Sequence, residues 1–334
     1  MLLRQIRILL VCLVVFVCCA PANAADDTRW HYTAALPTRA VAHTHDYLID
    51  VSLSTNAGQE KYVLLSSAKE RFLFNGACTT NRDGTLTLLR EQRASGSGPD
   101  SITFSSKLTD SCVFTLGSGA SSTQLTAQLF AKGNMRAGSD KKKRVAEYSL
   151  ASPVFSTQNK SLNAKLHADF AENQESWLKW MNDAAAEIEA EGENLPDYVM
   201  CGLWITYEIT YFDNSSLALR FQQSLHTGGA HPNHYASSFV YDIRSGEAER
   251  LDMSKAVLDP ANKLRDLVRA RLKAQEASWP EEAELSAADC ALFHGGLEFR
   301  FPPYAVGSYA EGFYDVFLPW NELENYLNAA LFKF

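Results

Sequence analysis

The feature that most constrains the fold is an amphipathic pattern between Lys160 and Ala190. Apolar side chains recur there at mostly helical intervals, at Leu162, Leu166, Phe170, Trp177, Met181, Ala184 and Ile188. This spacing predicts a helix over 160–190 with one apolar stripe, and a break near Asn173 is the alternative to one continuous helix. Because the stripe must be buried, the chain needs a sheet for this helix to cover.

The residues after this helix alternate in the way that strands require. From Val199 to Tyr211 every second side chain faces one side of a strand, and 217–225 and 235–243 alternate likewise. Residues 296–301 and 313–318 indicate two further strands, while 264–272 and 320–334 indicate helices. We therefore predict an α+β fold for 145–334, a mostly antiparallel sheet with helices on one face.

Residues 25–136 have a different pattern of apolar and polar residues. Short alternating runs are separated by small polar clusters, which predicts a small β-rich domain with hairpin turns. Residues 137–144, with Gly138 and the basic run Lys141 to Arg144, indicate a solvated linker, although a basic run can also bind a polyanion. The length of 334 residues suits two such domains.

The first 24 residues have the pattern of a secretory signal peptide. Arg4 and Arg7 precede an apolar stretch, and residues 22–24 form an A-x-A cleavage site. The stretch of about 13 apolar residues falls short of the roughly 20 that a membrane span needs, so an uncleaved anchor is the less favoured alternative. We predict a mature chain that starts at Ala25, is periplasmic or secreted, and has no stable membrane span after cleavage.

Cysteine usage fits an exported chain. Of seven cysteines, three lie in the signal and four remain, at Cys78, Cys112, Cys201 and Cys290. An even number in an oxidising compartment predicts disulfides, for which three pairings are possible. The most economical pairing joins Cys78 to Cys112 and Cys201 to Cys290, one bridge per domain, and four free thiols are the alternative.

The charge balance narrows the classes of partner. The net charge is −8, and loss of Arg4 and Arg7 with the signal would make it −10. Such a chain is poorly suited to nucleic acid, whose binding depends on Lys and Arg. A cationic protein partner is favoured by long-range attraction. No motif in the chain indicates a cofactor.

Two separated segments carry a resemblance to a known family. Residues 225–235 read LHTGGAHPNHY, and residues 296–312 read GLEFRFPPYAVGSYAEG. The first resembles a strand that ends in a Gly-Gly-Ala-His turn, and the second a strand followed by a Pro-Tyr turn and a Tyr-Ala-x-Gly turn. In this order they are typical of the RsiV-type extracytoplasmic domain family, shared by a lysozyme-sensing anti-sigma factor and the C-terminus of a peptidoglycan deacetylase. The resemblance covers roughly 148–334.

The resemblance implies binding rather than catalysis. Only a few residues precede the signal, so a sigma-binding segment is not expected, and the deacetylase's metal-binding catalytic motifs have no counterpart here. What the family then implies is an envelope protein without catalytic residues that binds lysozyme or peptidoglycan. The ligand-binding candidates are the two turns of the signatures: His226, Gly228, Gly229, His231, His234, Tyr304 and Tyr309.

The histidine cluster also permits a competing hypothesis. Three of the eight histidines, His226, His231 and His234, lie within nine residues. Clustered imidazoles can hold zinc, which would make the chain a metal-assisted hydrolase of cell-wall material. The H-x4-H-x2-H spacing is not a standard zinc signature, so we favour a turn in which His231 hydrogen-bonds locally.

Overall fold

The computed structural model describes residues 29–34, 47–53, 61–67, 71–90, 99–155, 159–191, 199–213, 215–285 and 289–328. The predicted signal peptide at 1–24, the predicted start at Ala25 and the cysteines at 12, 18 and 19 lie outside these residues.

Strands dominate the described residues, and four α-helices accompany them. The strands are β1 (Arg29–Ala34), β2 (Tyr47–Ser52), β3 (Tyr62–Ser67), β4 (Arg71–Phe74), β5 (Cys78–Thr80), β6 (Thr85–Leu89), β7 (Ser101–Ser105), β8 (Ser111–Ser118), β9 (Ser121–Asp140), β10 (Val145–Phe155), β11 (Cys201–Phe212), β12 (Ser216–Thr227), β13 (Asn233–Asp242), β14 (Glu249–Arg250), β15 (Asp289–Phe293), β16 (Gly296–Phe301) and β17 (Tyr314–Pro319). The helices are α1 (Lys160–Ala190), α2 (Met253–Ala256), α3 (Lys263–Ala274) and α4 (Trp320–Leu323). The predicted α+β class is confirmed.

Strand β9 is shared by the two halves of the chain. One of its edges pairs first with β8 and then with β10, while its other edge pairs with β1. Residues 137–144, predicted as a linker, form the end of β9 and a 3-10 turn, Lys141–Lys143, that leads into β10. The N-terminal strands enclose a core of their own, which includes Tyr32, Phe104 and Phe114. The predicted domain limits stay a prediction.

Helix α1 connects two parallel strands, β10 and β11. Parallel neighbours require such a crossover, because a tight hairpin can join only antiparallel strands. Asn159 caps the helix, since its side chain accepts a hydrogen bond from the Leu162 N–H at 3.0 Å. Its buried residues pack on the sheet as the apolar stripe predicts, among them Leu166, Phe170 and Met181.

The opposite face of β11–β13 is covered by a second, three-stranded sheet. Strands β15, β16 and β17 are antiparallel, and α3 packs with them in a separate core. Arg220 of β12 links the two sheets, because its guanidinium Nη1 lies 2.5 Å from Oε1 of Glu298 in β16. The Arg220 side chain is 1% exposed, so the ion pair is buried.

A second buried polar network joins the N-terminal strands to β11. His31 and Asp50 face each other across β1 and β2, with Nδ1 2.5 Å from Oδ1. The other ring nitrogen of His31 lies 2.7 Å from the Tyr207 hydroxyl. Each of these three side chains thus has a hydrogen-bond partner in the interior.

Within the described residues no disulfide joins Cys78, Cys112, Cys201 or Cys290, so the predicted pairings are not formed. Cys78 in β5 and Cys112 in β8 are separated by β6 and β7. Three intervals of about 4.8 Å between neighbouring strands add up to more than the roughly 7 Å that a disulfide tolerates between its two Cα atoms. Cys201 packs in the core under α1, whereas Cys290 packs against the core of the second sheet on the other face.

Candidate functional site

The turn between β12 and β13 depends on Gly228. Its φ is +81°, a conformation that favours glycine, and a Cβ there would lie 2.8 Å from Val199 and 3.0 Å from Ile188. A larger residue would be strained by this φ and would displace the Val199 and Ile188 side chains, so the turn packs closely against the end of α1. Gly229 beside it is exposed, with open space around it.

His226 supports this turn from below. Its Nδ1 lies 3.0 Å from the carbonyl oxygen of Met200, and its Nε2 lies 2.9 Å from that of Gly229. Because both ring nitrogens face carbonyl oxygens, neither is directed at a ligand. The structure thus gives His226 a role in supporting the turn, and the prediction that it binds a ligand stays a prediction.

His231 meets the second signature segment. Its imidazole stacks on the ring of Tyr309, with centroids 3.8 Å apart and planes 24° apart. Its Nε2 lies 3.3 Å from the Tyr304 hydroxyl, and its Nδ1 lies 3.2 Å from the carbonyl oxygen of Pro232. The two turns, which are far apart in sequence, therefore touch through His231.

His234 makes the next contact along β13. Its Nε2 lies 3.0 Å from the Tyr309 hydroxyl, and its ring centroid lies 6.1 Å from that of Phe313. Burial, with a smaller contribution from the charge of His231, lowers the pKa of His234. The neutral ring that this favours accepts the Tyr309 hydrogen bond at Nε2 when its proton is on Nδ1. We call His231, His234, Tyr304, Tyr309 and Phe313 the His–Tyr surface.

Tyr304 is the most exposed member of the His–Tyr surface. Its side chain is 55% exposed, and its φ of +72° is left-handed. A residue with a side chain pays roughly 1–2 kcal/mol for this conformation. The loop holds it there, because the Tyr304 N–H donates to the carbonyl oxygen of Gly307 at 3.0 Å. An exposed aromatic ring in a strained backbone is a feature of binding sites.

Glu311 fixes the turn that carries Tyr309. Its carboxylate accepts hydrogen bonds from the backbone and hydroxyl of Ser308, both at 2.7 Å, and from the Tyr314 hydroxyl at 2.8 Å. Ser278 adds two more, from its N–H at 3.1 Å and its hydroxyl at 2.9 Å. Burial alone would raise the pKa of Glu311, but these bonds outweigh it and lower the pKa to about 2. The carboxylate is thus a fixed structural acceptor.

The arrangement is suited to recognition. Within the described ranges, no group of three His, Cys, Asp or Glu residues could hold a metal ion, so His226, His231 and His234 do not converge on one centre. The ring nitrogens of His231 and His234 lie against carbonyl oxygens and tyrosine hydroxyls rather than a serine or cysteine that a base would activate. What the surface presents is a set of stacked and tilted rings with an exposed phenol.

The two turns also correspond to recognised sequence families. Two family models match this chain. One, described as deacetylase PdaC, matches residues 139–234, and the other, a protein of unknown function (DUF3298), matches residues 252–321. No curated protein matches the chain.

Among solved structures, two DUF3298 proteins are similar to this chain. A family member from Bacteroides fragilis NCTC 9343 is 19% identical, with a TM-score of 0.38, and the match covers 59% of this chain and 92% of that one. A DUF3298 protein from Pseudomonas aeruginosa PAO1 is 14% identical, with a TM-score of 0.42, and the match covers 60% of this chain and 94% of that one.

The two matched segments meet at the His–Tyr surface, as they also do at the buried pair of Arg220 and Glu298. His231 and His234 end the PdaC-matching segment, and Tyr304 and Tyr309 lie in the DUF3298-matching segment. The hydrogen bond between His234 and Tyr309 therefore joins one segment to the other.

Glu311 supports the turn of Tyr309, and the sequence patterns considered above did not single it out. The spacing Ser308-x-x-Glu311 is a capping box, a signal that marks the start of a helical turn. It could have been found from the sequence, and it would have predicted that Tyr309 sits on an ordered turn.

The described part of the chain contains no helix that is both long and apolar enough to span a membrane.

Proposed function

We propose that this chain is an exported envelope protein without catalytic activity that binds a protein ligand through the His–Tyr surface. A lysozyme-like muramidase is the most concrete candidate for the ligand. Export rests on the tripartite pattern of residues 1–24, with cleavage before Ala25. N-terminal sequencing of protein isolated from the medium or periplasm tests this part, and a first residue other than Ala25 contradicts the predicted cleavage site.

The observation that carries the proposal is the contact between the two signature turns. His231 and Tyr309 stack at 3.8 Å, and the exposed Tyr304 stands beside them on a fixed loop. Rigid aromatic anchors of this kind dominate the energy of protein interfaces, because they bury a large area at little entropic cost. The resemblance of both turns to the RsiV-type family supports lysozyme as the ligand.

The charge of the chain supports the same class of partner. Its net charge of −8 attracts a cationic protein such as lysozyme at long range. The attraction raises the rate of encounter, whereas the His–Tyr surface supplies the specific contacts.

Calorimetric titration of the purified chain with egg-white lysozyme and with peptidoglycan fragments tests the proposal. We expect lysozyme to bind, and Tyr304→Ala to weaken binding by about tenfold, as for a hot-spot residue. Phe317→Ala is the matched control, since Phe317 is also an exposed aromatic residue, at 45%, in β17. No binding of lysozyme at high micromolar concentration contradicts the proposal.

Two other outcomes of these experiments would favour a different function. Binding of peptidoglycan fragments alone would make the ligand a glycan. Near-stoichiometric zinc in protein purified without chelator, lost in His231→Ala, would favour the metal-assisted hydrolase.

A further inference from the structure

A second cluster of aromatic rings lies on the other face of β13. The ring centroids of Trp177 and Trp180 in α1 are 5.0 Å apart, and those of Tyr235 lie 5.2 and 5.3 Å from them. Trp177 packs against the core, whereas Trp180 is 44% exposed. We call these three residues the Trp180 surface.

The Trp180 surface is close to the His–Tyr surface. Tyr235 follows His234 directly in β13, and neighbouring residues of a strand point to opposite faces. Strand β14 pairs with β13 only at Tyr241 and Asp242, so within the described residues the start of β13 is a sheet edge. Only the edge strand β13 separates the two surfaces, so a single partner that wraps this edge can touch both.

The fold gives little reason for a tryptophan at position 180. The core contacts of this part of α1 come from Leu178 and Met181, which are buried. Because the Trp180 ring stays 44% exposed, its burial stabilises the fold only in part, and the rest of its area is available for contact with a partner. Tryptophan is also among the residues most enriched at interface hot spots.

The charges around Trp180 indicate what kind of partner fits. From Asp169 to Glu189 the helix carries six acidic residues and one lysine. Glu187 lies two helical turns after Trp180, on the same side of the helix, and is exposed. Asp183, nearly one turn after Trp180, is exposed and paired with Lys179. Acidic side chains on the same helix as an exposed indole favour Arg and Lys, through ion pairs and cation–π contacts, and disfavour polyanions.

We infer that the Trp180 surface is a second contact surface for the cationic protein that binds the His–Tyr surface. Arg or Lys side chains of the partner lie on the Trp180 and Tyr235 rings, and Glu187 offers an ion-pair partner about 10 Å further along the same side of the helix. The inference rests on the proposed function and extends it, because it assigns the partner a footprint on both faces of β13.

Two matched pairs of variants test it by calorimetric titration with egg-white lysozyme. Trp180→Ala is compared with Trp279→Ala, since Trp279 is 42% exposed and lies outside both surfaces. Glu187→Lys is compared with Glu189→Lys, which has the same charge change on the same helix but faces another side. We expect Trp180→Ala to weaken binding about tenfold and Glu187→Lys severalfold, with both controls close to wild type.

The outcomes separate this inference from the proposed function. If wild type binds lysozyme and Trp180→Ala and Glu187→Lys bind equally well, this inference is wrong and the proposed function stands. If wild type does not bind lysozyme, both are wrong. Loss of glycan binding or of self-association in Trp180→Ala, with lysozyme binding intact, also contradicts the inference. The exposed charge variants keep the test valid if Trp180→Ala does not fold.

Discussion

The hydroxyl of Tyr309 lies 3.0 Å from Nε2 of His234, although the two residues are 75 positions apart in the chain. The same phenol ring stacks on His231. Tyr309 therefore holds the turn after β12 against the loop before β17, and the geometry of the His–Tyr surface depends on it. This contact makes the surface a product of the fold rather than of either segment alone.

Two substitutions of Tyr309 distinguish the contribution of its ring from that of its hydroxyl. Tyr309→Phe removes the hydrogen bond to His234 but keeps the ring on His231, so we expect the free energy of unfolding to fall by about 1 kcal/mol. Lysozyme affinity should change by less than in Tyr309→Ala, which removes both. Urea denaturation and calorimetric titration measure the two effects, and equal losses of affinity in both variants would mean that the ring stack is unimportant.

The pH dependence of stability should include a contribution from Glu311. Hydrogen bonds lower its pKa from 4.5 to about 2 on folding. A carboxyl shifted in this direction stabilises the folded state above pH 4.5, and the stabilisation is lost as the pH falls towards 2.

Glu311→Gln removes this dependence. Thermal unfolding of the variant should change less between pH 4.5 and 2 than that of wild type. Glu324→Gln, a change at an exposed carboxyl, is the control and should follow wild type. Parallel curves for wild type and Glu311→Gln would contradict the assigned role.

The buried pair of Arg220 and Glu298 should show strong coupling. Arg220→Leu leaves the Glu298 carboxylate without its partner in the interior, which we expect to cost about 3–5 kcal/mol. The double variant with Glu298→Leu should recover much of this loss, because no uncompensated charge remains. Denaturant unfolding of both single variants and the double variant measures the coupling, and additive effects would mean that the pair does not act as a unit.

The absence of a disulfide among Cys78, Cys112, Cys201 and Cys290 in the described residues gives a direct chemical prediction. In denaturant without reductant, a thiol reagent should modify all four of these cysteines. In the native protein Cys78 should react first, since it is exposed while Cys112 and Cys201 are buried. Fewer than four reactive thiols, restored by reductant, would show that a disulfide forms.

Local patterns predicted the elements well. Helix α1 has the predicted bounds Lys160–Ala190 and runs unbroken through Asn173. The alternation in 199–211 matches β11 as far as Ile209, but a register shift between Ile209 and Tyr211 turns Tyr211 to the core on the other face. These elements follow from periodicity, which is encoded within one segment. The predicted helix at 320–334 is one turn, Trp320–Leu323, in the described residues, while 329–334 lie outside them.

Contacts between distant strands were beyond local patterns. The disulfide prediction was wrong because it counted cysteines without the strand order that separates them. Gly138 indicated a linker, yet it lies in β9 where a Cβ would come 2.5 Å from the Tyr148 hydroxyl. The glycine serves a close approach between paired strands, which only the tertiary structure reveals.

The candidate site was partly predictable. The resemblance singled out His231, His234, Tyr304 and Tyr309, and the structure brings these four together. It places His226 under the turn instead. Periodicity cannot show which turns meet, because that depends on how the second sheet packs on β12 and β13.

Hydrogen–deuterium exchange of the chain with and without saturating egg-white lysozyme tests the central claim most directly. The account predicts that lysozyme slows exchange in 227–235 and in 302–313, the two turns of the His–Tyr surface, while the N-terminal strands β5–β8 are unchanged. Binding with protection elsewhere and none in these two turns would contradict it.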